Sequence, residues 1–167
     1  MIKQIILSSL AVLMSAGVWA ADSLTVRRLF TEMPDSIVPY LTRNNRLDFI
    51  DFMDSNMKAE VTNLLGGKSR MTALTADSLS LQLNESCRMD ILLLHVKLSS
   101  DSLKQVLCVV RTLKGEADME ESSVEFYTPT WRLLNFKPAL QPDDERRLKD
   151  TVRELNFVNN IIKKLNK

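Results

Sequence analysis

The chain has 167 residues, 45% of them hydrophobic and 26% charged, which is enough for one domain with a core of its own. Its 22 basic residues nearly balance its 21 acidic ones, and no basic run supplies the electrostatic footprint that nucleic-acid binding needs. The same balance leaves no polybasic patch for anionic lipid beyond a weak cluster at Lys163, Lys164 and Lys167.

The N-terminus, "MIKQIILSSLAVLMSAGVWAADSL", has the three-part layout of a secretory signal peptide. Lys3 is the charged n-region, Ile5 to Ala16 an uncharged apolar h-region, and Val18 and Ala20 put small residues at −3 and −1 of a cleavage site between Ala20 and Ala21. A retained anchor is the alternative, but the uncharged stretch sits at the lower edge of a bilayer span and is broken by Ser8, Ser9, Ser15 and Gly17. No cysteine lies near the cut, so a lipoprotein is not expected. Residues 21–167 then form a single globular domain, periplasmic or secreted, without a transmembrane span. Loss of Lys3 makes its basic and acidic residues equal in number.

Residues 44–57, "NNRLDFIDFMDSNM", have helical period. Asn44 or Asn45 serves as N-cap, and Phe49, Ile50, Met53 and Met57 share an apolar face. Asp48, Asp51 and Asp54 share another. A straight helix splays carboxylates apart, so a solvated acidic face is expected there in preference to a calcium site. "GGKS" at 66–69 resembles the end of a phosphate loop. Thr62 occupies the place of the first glycine, and the expected order is helix before and strand after, the reverse of what phosphate binding needs. Gly66-Gly67 is therefore expected to be a helix C-cap and turn, and no nucleotide is expected.

From Ser69 to Leu134 the period changes to two, in short runs rich in Val, Ile, Leu and Thr. Strands this close must be antiparallel, and about five to six of them are predicted over residues 69–134. The clearest hairpin joins Met89–Leu98 to Leu103–Leu113 around a four-residue loop at 99–102. Pairing Leu98 with Leu103 puts Leu92, Leu94, Val96 and Leu98 on one face with Leu103, Leu107 and Val109. Both faces are apolar, so a central pair covered on both sides is expected. In that register Cys108 lies opposite Leu93, far from Cys87, which argues against a disulfide although export would permit one. Two cysteines and one histidine at these spacings form no zinc signature, so neither metal nor cofactor is expected. His95, in mid-strand without a partnered nucleophile, reads as structural.

"FYTPTW", residues 126–131, is expected to be a strand corner at Pro129; Tyr127 and Trp131 as a ligand-facing aromatic platform for a glycan is the sharper alternative. A C-terminal helix is predicted over about 142–165, opened by Pro142 and by Asp143, Asp144 and Glu145 in its first turn. Leu148, Val152, Leu155, Val158, Ile162 and Leu165 form its apolar stripe. The fold class is thus α+β, an antiparallel sheet flanked by an N-terminal and a C-terminal helix.

Asp-Ser or Asp-Thr followed by an aliphatic residue recurs at Ser23, Ser36, Ser78, Ser102 and Thr151. Average composition gives about one such triplet or fewer. Turn chemistry accounts for some of these; the triplet also resembles the O-glycosylation sequon of exported proteins of Bacteroidetes. Together "FTEMPDSIVPYLTRNNRLDFIDFMDSNM", "TNLLGGKSRMTALTADSLSLQL", "VVRT" and "SSVEFYTPTWRLL" resemble a family of uncharacterised exported proteins from Bacteroidales, over Phe30 to Leu134. That resemblance implies no activity for any residue. The expected function is a non-enzymatic periplasmic or surface module that binds an envelope protein or an apolar or glycan ligand, with methionines as an adaptable lining. A hydrolase of envelope polymers, using Asp48 or Asp51 against Glu125, is the alternative, and a structural subunit with an exposed apolar patch the third.

Overall fold

The computed structural model of the chain describes residues 24–97, 104–115 and 120–152. Within them seven strands form one antiparallel meander in which each strand pairs with its neighbour along the chain. They are β1 (Glu60–Thr62), β2 (Lys68–Leu74), β3 (Ser78–Asn84), β4 (Cys87–His95), β5 (Gln105–Lys114), β6 (Glu120–Tyr127) and β7 (Leu133–Leu134). Helices α1 (Val26–Thr31) and α2 (Arg43–Asp54) pack on one face, and α3, described over 142–152, packs on the other. The α+β class is as expected. The sheet is larger than predicted, because it begins with a three-residue strand at Glu60 instead of near residue 69. The expected leader, its cut between Ala20 and Ala21, and positions Ser23 and Ser102 lie outside the described residues, as does the C-terminal helix beyond 152.

β4 and β5 are buried on both faces, as their unbroken apolar runs require. Their register differs from the predicted one by a single residue: Leu92 faces Cys108, Leu94 faces Val106 and His95 faces Gln105. A one-residue slip exchanges every side chain between faces. Leu92 and Leu94 therefore join Val106, Cys108 and Val110 under α3, while Met89, Ile91 and Leu93 join Leu107 and Val109 under α1 and α2. The prediction rested on a four-residue loop at 99–102; in the observed ladder Val96 N–H bonds to Lys104 C=O at 3.0 Å, one residue out of step with such a loop. The corrected register settles the cysteines. Cys87 lies in one core cluster and Cys108 in the other, on opposite sides of the sheet, and both thiols are free and buried.

α2 starts one residue earlier than predicted. Thr42 is its N-cap, accepting from Asn45 N–H at 3.1 Å while Asn45 Oδ1 accepts from Thr42 N–H at 3.2 Å, so Asn45 closes a capping box instead of capping the helix itself. It ends early too. Asn56 takes a left-handed φ of 53°, Met57 N–H bonds to Phe52 C=O at 2.8 Å and Asn56 N–H to Met53 C=O at 3.2 Å, the paired bonds of a Schellman end. Met57 is consequently exposed instead of sharing the apolar face. "GGKS" also sits elsewhere than expected: it is the β1–β2 hairpin turn, not a helix cap. Gly66 has φ 78°, and Asn63 Oδ1 accepts from Leu65 and Gly67 N–H.

The segment between α1 and α2 is held by Arg46, whose side chain is 2% exposed. Its guanidinium donates to Met33 C=O at 2.6 Å, Leu41 C=O at 2.7 Å and Asp35 at 2.8 Å, which satisfies two carbonyls that no strand or helix can reach. Replacing it strands those carbonyls in the core. Arg46→Ala is expected to lower stability by about 3 kcal/mol, read as a reduced urea midpoint at unchanged slope.

Candidate functional site

A polar clamp fixes the start of α3. Leu140 bridges Val96, Gln141 N–H donates to His95 C=O at 2.9 Å, and Asp144 Oδ2 accepts from His95 N–H at 2.6 Å and from His95 Nδ1 at 3.0 Å. Gln105 Nε2 contacts the other ring nitrogen of His95 at 3.1 Å. With Nδ1–H given to a carboxylate, Nε2 is the acceptor for that amide, so both nitrogens are engaged. Arg147 donates to Asp144 Oδ1 at 2.9 Å and reaches Asp77 of the β2–β3 turn at 2.9 Å. His95 is thus structural, as expected, although it ends β4 instead of lying in mid-strand.

The clamp sets α3 beside the β6–β7 hairpin, and between them lies a groove of about 770 Å³. Val124 and Phe126 of β6 and Leu133 and Leu134 of β7 line one side, Leu148 and Val152 of α3 the other, with Lys137, Glu145 and Lys149 at the margin. Leu133 and Phe136 are more than half exposed and Val124 is 40% exposed, so apolar surface faces the groove instead of the core. None of the lining residues is a methionine; Met33, Met71 and Met89 are core filler. A second apolar point, Leu64 and Leu65, projects from the β1–β2 turn.

The predicted aromatic platform is not a surface. Tyr127 and Trp131 are buried, with ring centroids 5.6 Å apart, and Trp131 Nε1 donates to Leu29 C=O at 2.9 Å. A left-handed φ of 60° at Trp131 turns the indole inward; the corner at Pro129 is otherwise as expected, closed by Thr128 and Arg132. The carboxylates of the hydrolase reading are not assembled either. Asp48 and Asp51 are exposed on α2 and Asp54 pairs with Arg27, which is the solvated acidic face that was expected. Glu125 belongs to a different cluster, accepting from Arg111 and from Tyr127 OH at 3.0 Å, while Arg111 also donates to Ile37 C=O at 3.3 Å. Among the described residues, no group of three or more His, Cys, Asp or Glu side chains is placed to hold a metal.

Burial and pairing shift the titration of several other groups. Burial pushes Tyr40 and Cys108 up to about 12 and raises Cys87 and Tyr127, the last also through its bond to Glu125. Burial works against the charge of Arg111, yet the Glu125 partner outweighs it and the guanidinium pKa rises. At Asp144 burial favours the neutral form, but the bonds from His95 and Arg147 together overcome it and hold the carboxyl below its ordinary 3.8.

Of the sequon positions, Ser36 is exposed, Ser78 is half-buried and bonded to Thr75, and the Thr151 hydroxyl donates to Arg147 C=O at 3.0 Å. Among the described residues, no helix is long and apolar enough to cross a membrane.

These features define a seven-stranded antiparallel meander with helices on both faces and a lateral apolar groove. The chain belongs to the family described as a protein of unknown function (DUF3256), whose model matches residues 19–164. Its fold is similar to that of a solved structure, a domain of an uncharacterized protein from Porphyromonas gingivalis W83, with 23% identity and a TM-score of 0.52 over 65% of this chain. The match spans 52% of that structure, about half its length. Among curated proteins, none matches.

Because Asp144 titrates lower folded than unfolded, its contribution is present above the ordinary value of 3.8 and is lost as pH falls through the folded value. Asp144→Asn is expected to cost about 2 kcal/mol at neutral pH and to flatten the loss of stability below pH 4, as followed by urea unfolding across an acid series.

Proposed function

We propose that this chain is an exported, non-catalytic binding domain whose groove between the β6–β7 hairpin and α3 takes an apolar ligand or the apolar side chains of an envelope protein. The observation that carries the reading is the groove itself, apolar on both walls, open, and close to the volume of small-ligand sites. A glycan reading loses its aromatic platform once Tyr127 and Trp131 are internal. Export to the periplasm or beyond the cell is supported by the leader-like sequence, with its small residues at −3 and −1 of a cut between Ala20 and Ala21.

A dansyl-labelled long-chain acyl probe reports on the groove. Saturable fluorescence enhancement is expected, and Val124→Asp should weaken it about tenfold, because an unpaired carboxylate then enters the apolar lining at a position that contributes little to the core. Equal binding by the variant would sink the groove as the site.

The sequon resemblance is carried forward at one position, Ser36, the exposed hydroxyl in the segment between α1 and α2. Intact-mass measurement of protein from its own cell envelope is expected to show covalent mass beyond the chain cut after Ala20. Ser36→Ala should remove all or part of that excess; a bare chain of the expected mass would refute the modification.

A further inference from the structure

We infer that the outer edge of β6 accepts an extended segment of a partner polypeptide, one that alternates basic and apolar residues; this deepens the groove reading and rests on it. β7 pairs with only the last two residues of β6, Phe126 with Leu134 and Tyr127 with Leu133. Beyond Leu134 the strand ends in bends at Asn135 and Phe136, which with Lys137 line the groove. The whole length of β6 pairs inward with β5, from Lys114↔Glu120 to Leu107↔Tyr127. Among the described residues, no backbone group meets the outer side of Glu120–Glu125.

The direction of the free peptide groups follows from the ladder. Thr128 N–H donates outward to Arg132 C=O at 2.9 Å, so in an alternating strand Phe126, Val124 and Ser122 point their N–H and C=O to that same side. Phe126 is taken by Leu134; Val124 and Ser122 are the next rungs, collinear with β7 and unpaired among the described residues. Such an edge templates another strand unless it is blunted or covered.

Two features specify the occupant. A residue set opposite Val124 shares its face, and that face is the groove wall, so its side chain enters the apolar space beside Leu148 and Val152. Residues set opposite Glu121, Ser123 and Glu125 lie on the other face, where Glu121 is the exposed carboxylate and Glu125 is already paired with Arg111. The strand itself, "EESSVEFY", has three glutamates and no base. A second copy is therefore a poor occupant: antiparallel pairing centred on Ser123 sets Glu121 of one copy against Glu125 of the other, both glutamates on the same face. A segment with lysine or arginine at alternate positions and valine-like residues between them satisfies both faces.

The test uses the full chain and a fluorescein-labelled hexapeptide of alternating lysine and valine. Saturable anisotropy is expected, with slowed amide exchange at Ser122 and Val124 in the complex. A glutamate–valine peptide, a lysine–valine peptide N-methylated at alternate amides, and the Ser122→Pro variant should each bind about tenfold more weakly or worse. Proline at an outward-facing edge amide removes one donor and keeps the inner ladder, and the N-methylated peptide reads the same bond without altering the protein. Absence of peptide binding while the acyl probe still binds overturns the strand edge alone; absence of both overturns the groove as well. Amides of Ser122 and Val124 already protected in the free protein would show the edge filled by the chain itself and overturn the proposal. Equal affinity for the glutamate–valine peptide would overturn the basic partner.

Discussion

A ladder buried on both faces cannot slip by one residue without exchanging two cores at once. That is the constraint imposed by the pairing of β4 with β5. Met89, Ile91 and Leu93 must meet α1 and α2, and Leu92 and Leu94 must meet the segment that leads into α3. Burying one large aliphatic side chain is worth about 2 kcal/mol, so misplacing a row of them costs far more than any single surface contact recovers. The strands outside this pair can then be short. β1 and β7 have three and two residues because they need only finish a sheet whose centre is already fixed.

The two layers are attached by different physics. On one face the helices are joined by apolar burial, with the Arg46 guanidinium gathering carbonyls of an irregular segment. On the other, α3 is located by charge-assisted hydrogen bonds at its first turn, where Asp144 collects a backbone amide, an imidazole and a guanidinium. Beyond that turn, Leu148 and Val152 form one wall of the groove and part of the smaller core. The polar clamp and the apolar groove are therefore one construction: moving His95 or Asp144 moves the wall.

Much of this architecture was legible in the sequence, and the parts that were not have definite causes. β3 alternates strictly between buried Leu79, Leu81 and Leu83 and half-buried polar neighbours, so its period announced a strand. The double burial of β4 and β5 was equally plain. Their register was not, because it depends on a connection whose length no residue pattern signals. α1 was missed, being barely more than one turn long, although Thr25 as a capping hydroxyl and the spacing of Val26, Leu29 and Phe30 were available clues. The groove was invisible because its walls come from residues 124–126, 133–137 and 145–152, and it is a hydrogen bond between residues 49 apart, His95 and Asp144, that sets its far wall. The aromatic pair was misplaced for a different reason: a left-handed backbone at a tryptophan is not something its neighbours foretell.

That tryptophan has a practical consequence. Of the two in the chain, Trp131 is the one among the described residues, and a chain cut after Ala20 would carry it as its single indole. The ring rests on Tyr127 of the sheet and its N–H holds Leu29 of α1, 102 residues earlier in the chain. Its emission is thus a built-in optical gauge of the junction between the first helix and the sheet. A shift to longer wavelength would mark that junction opening, whether or not the rest of the fold had come apart.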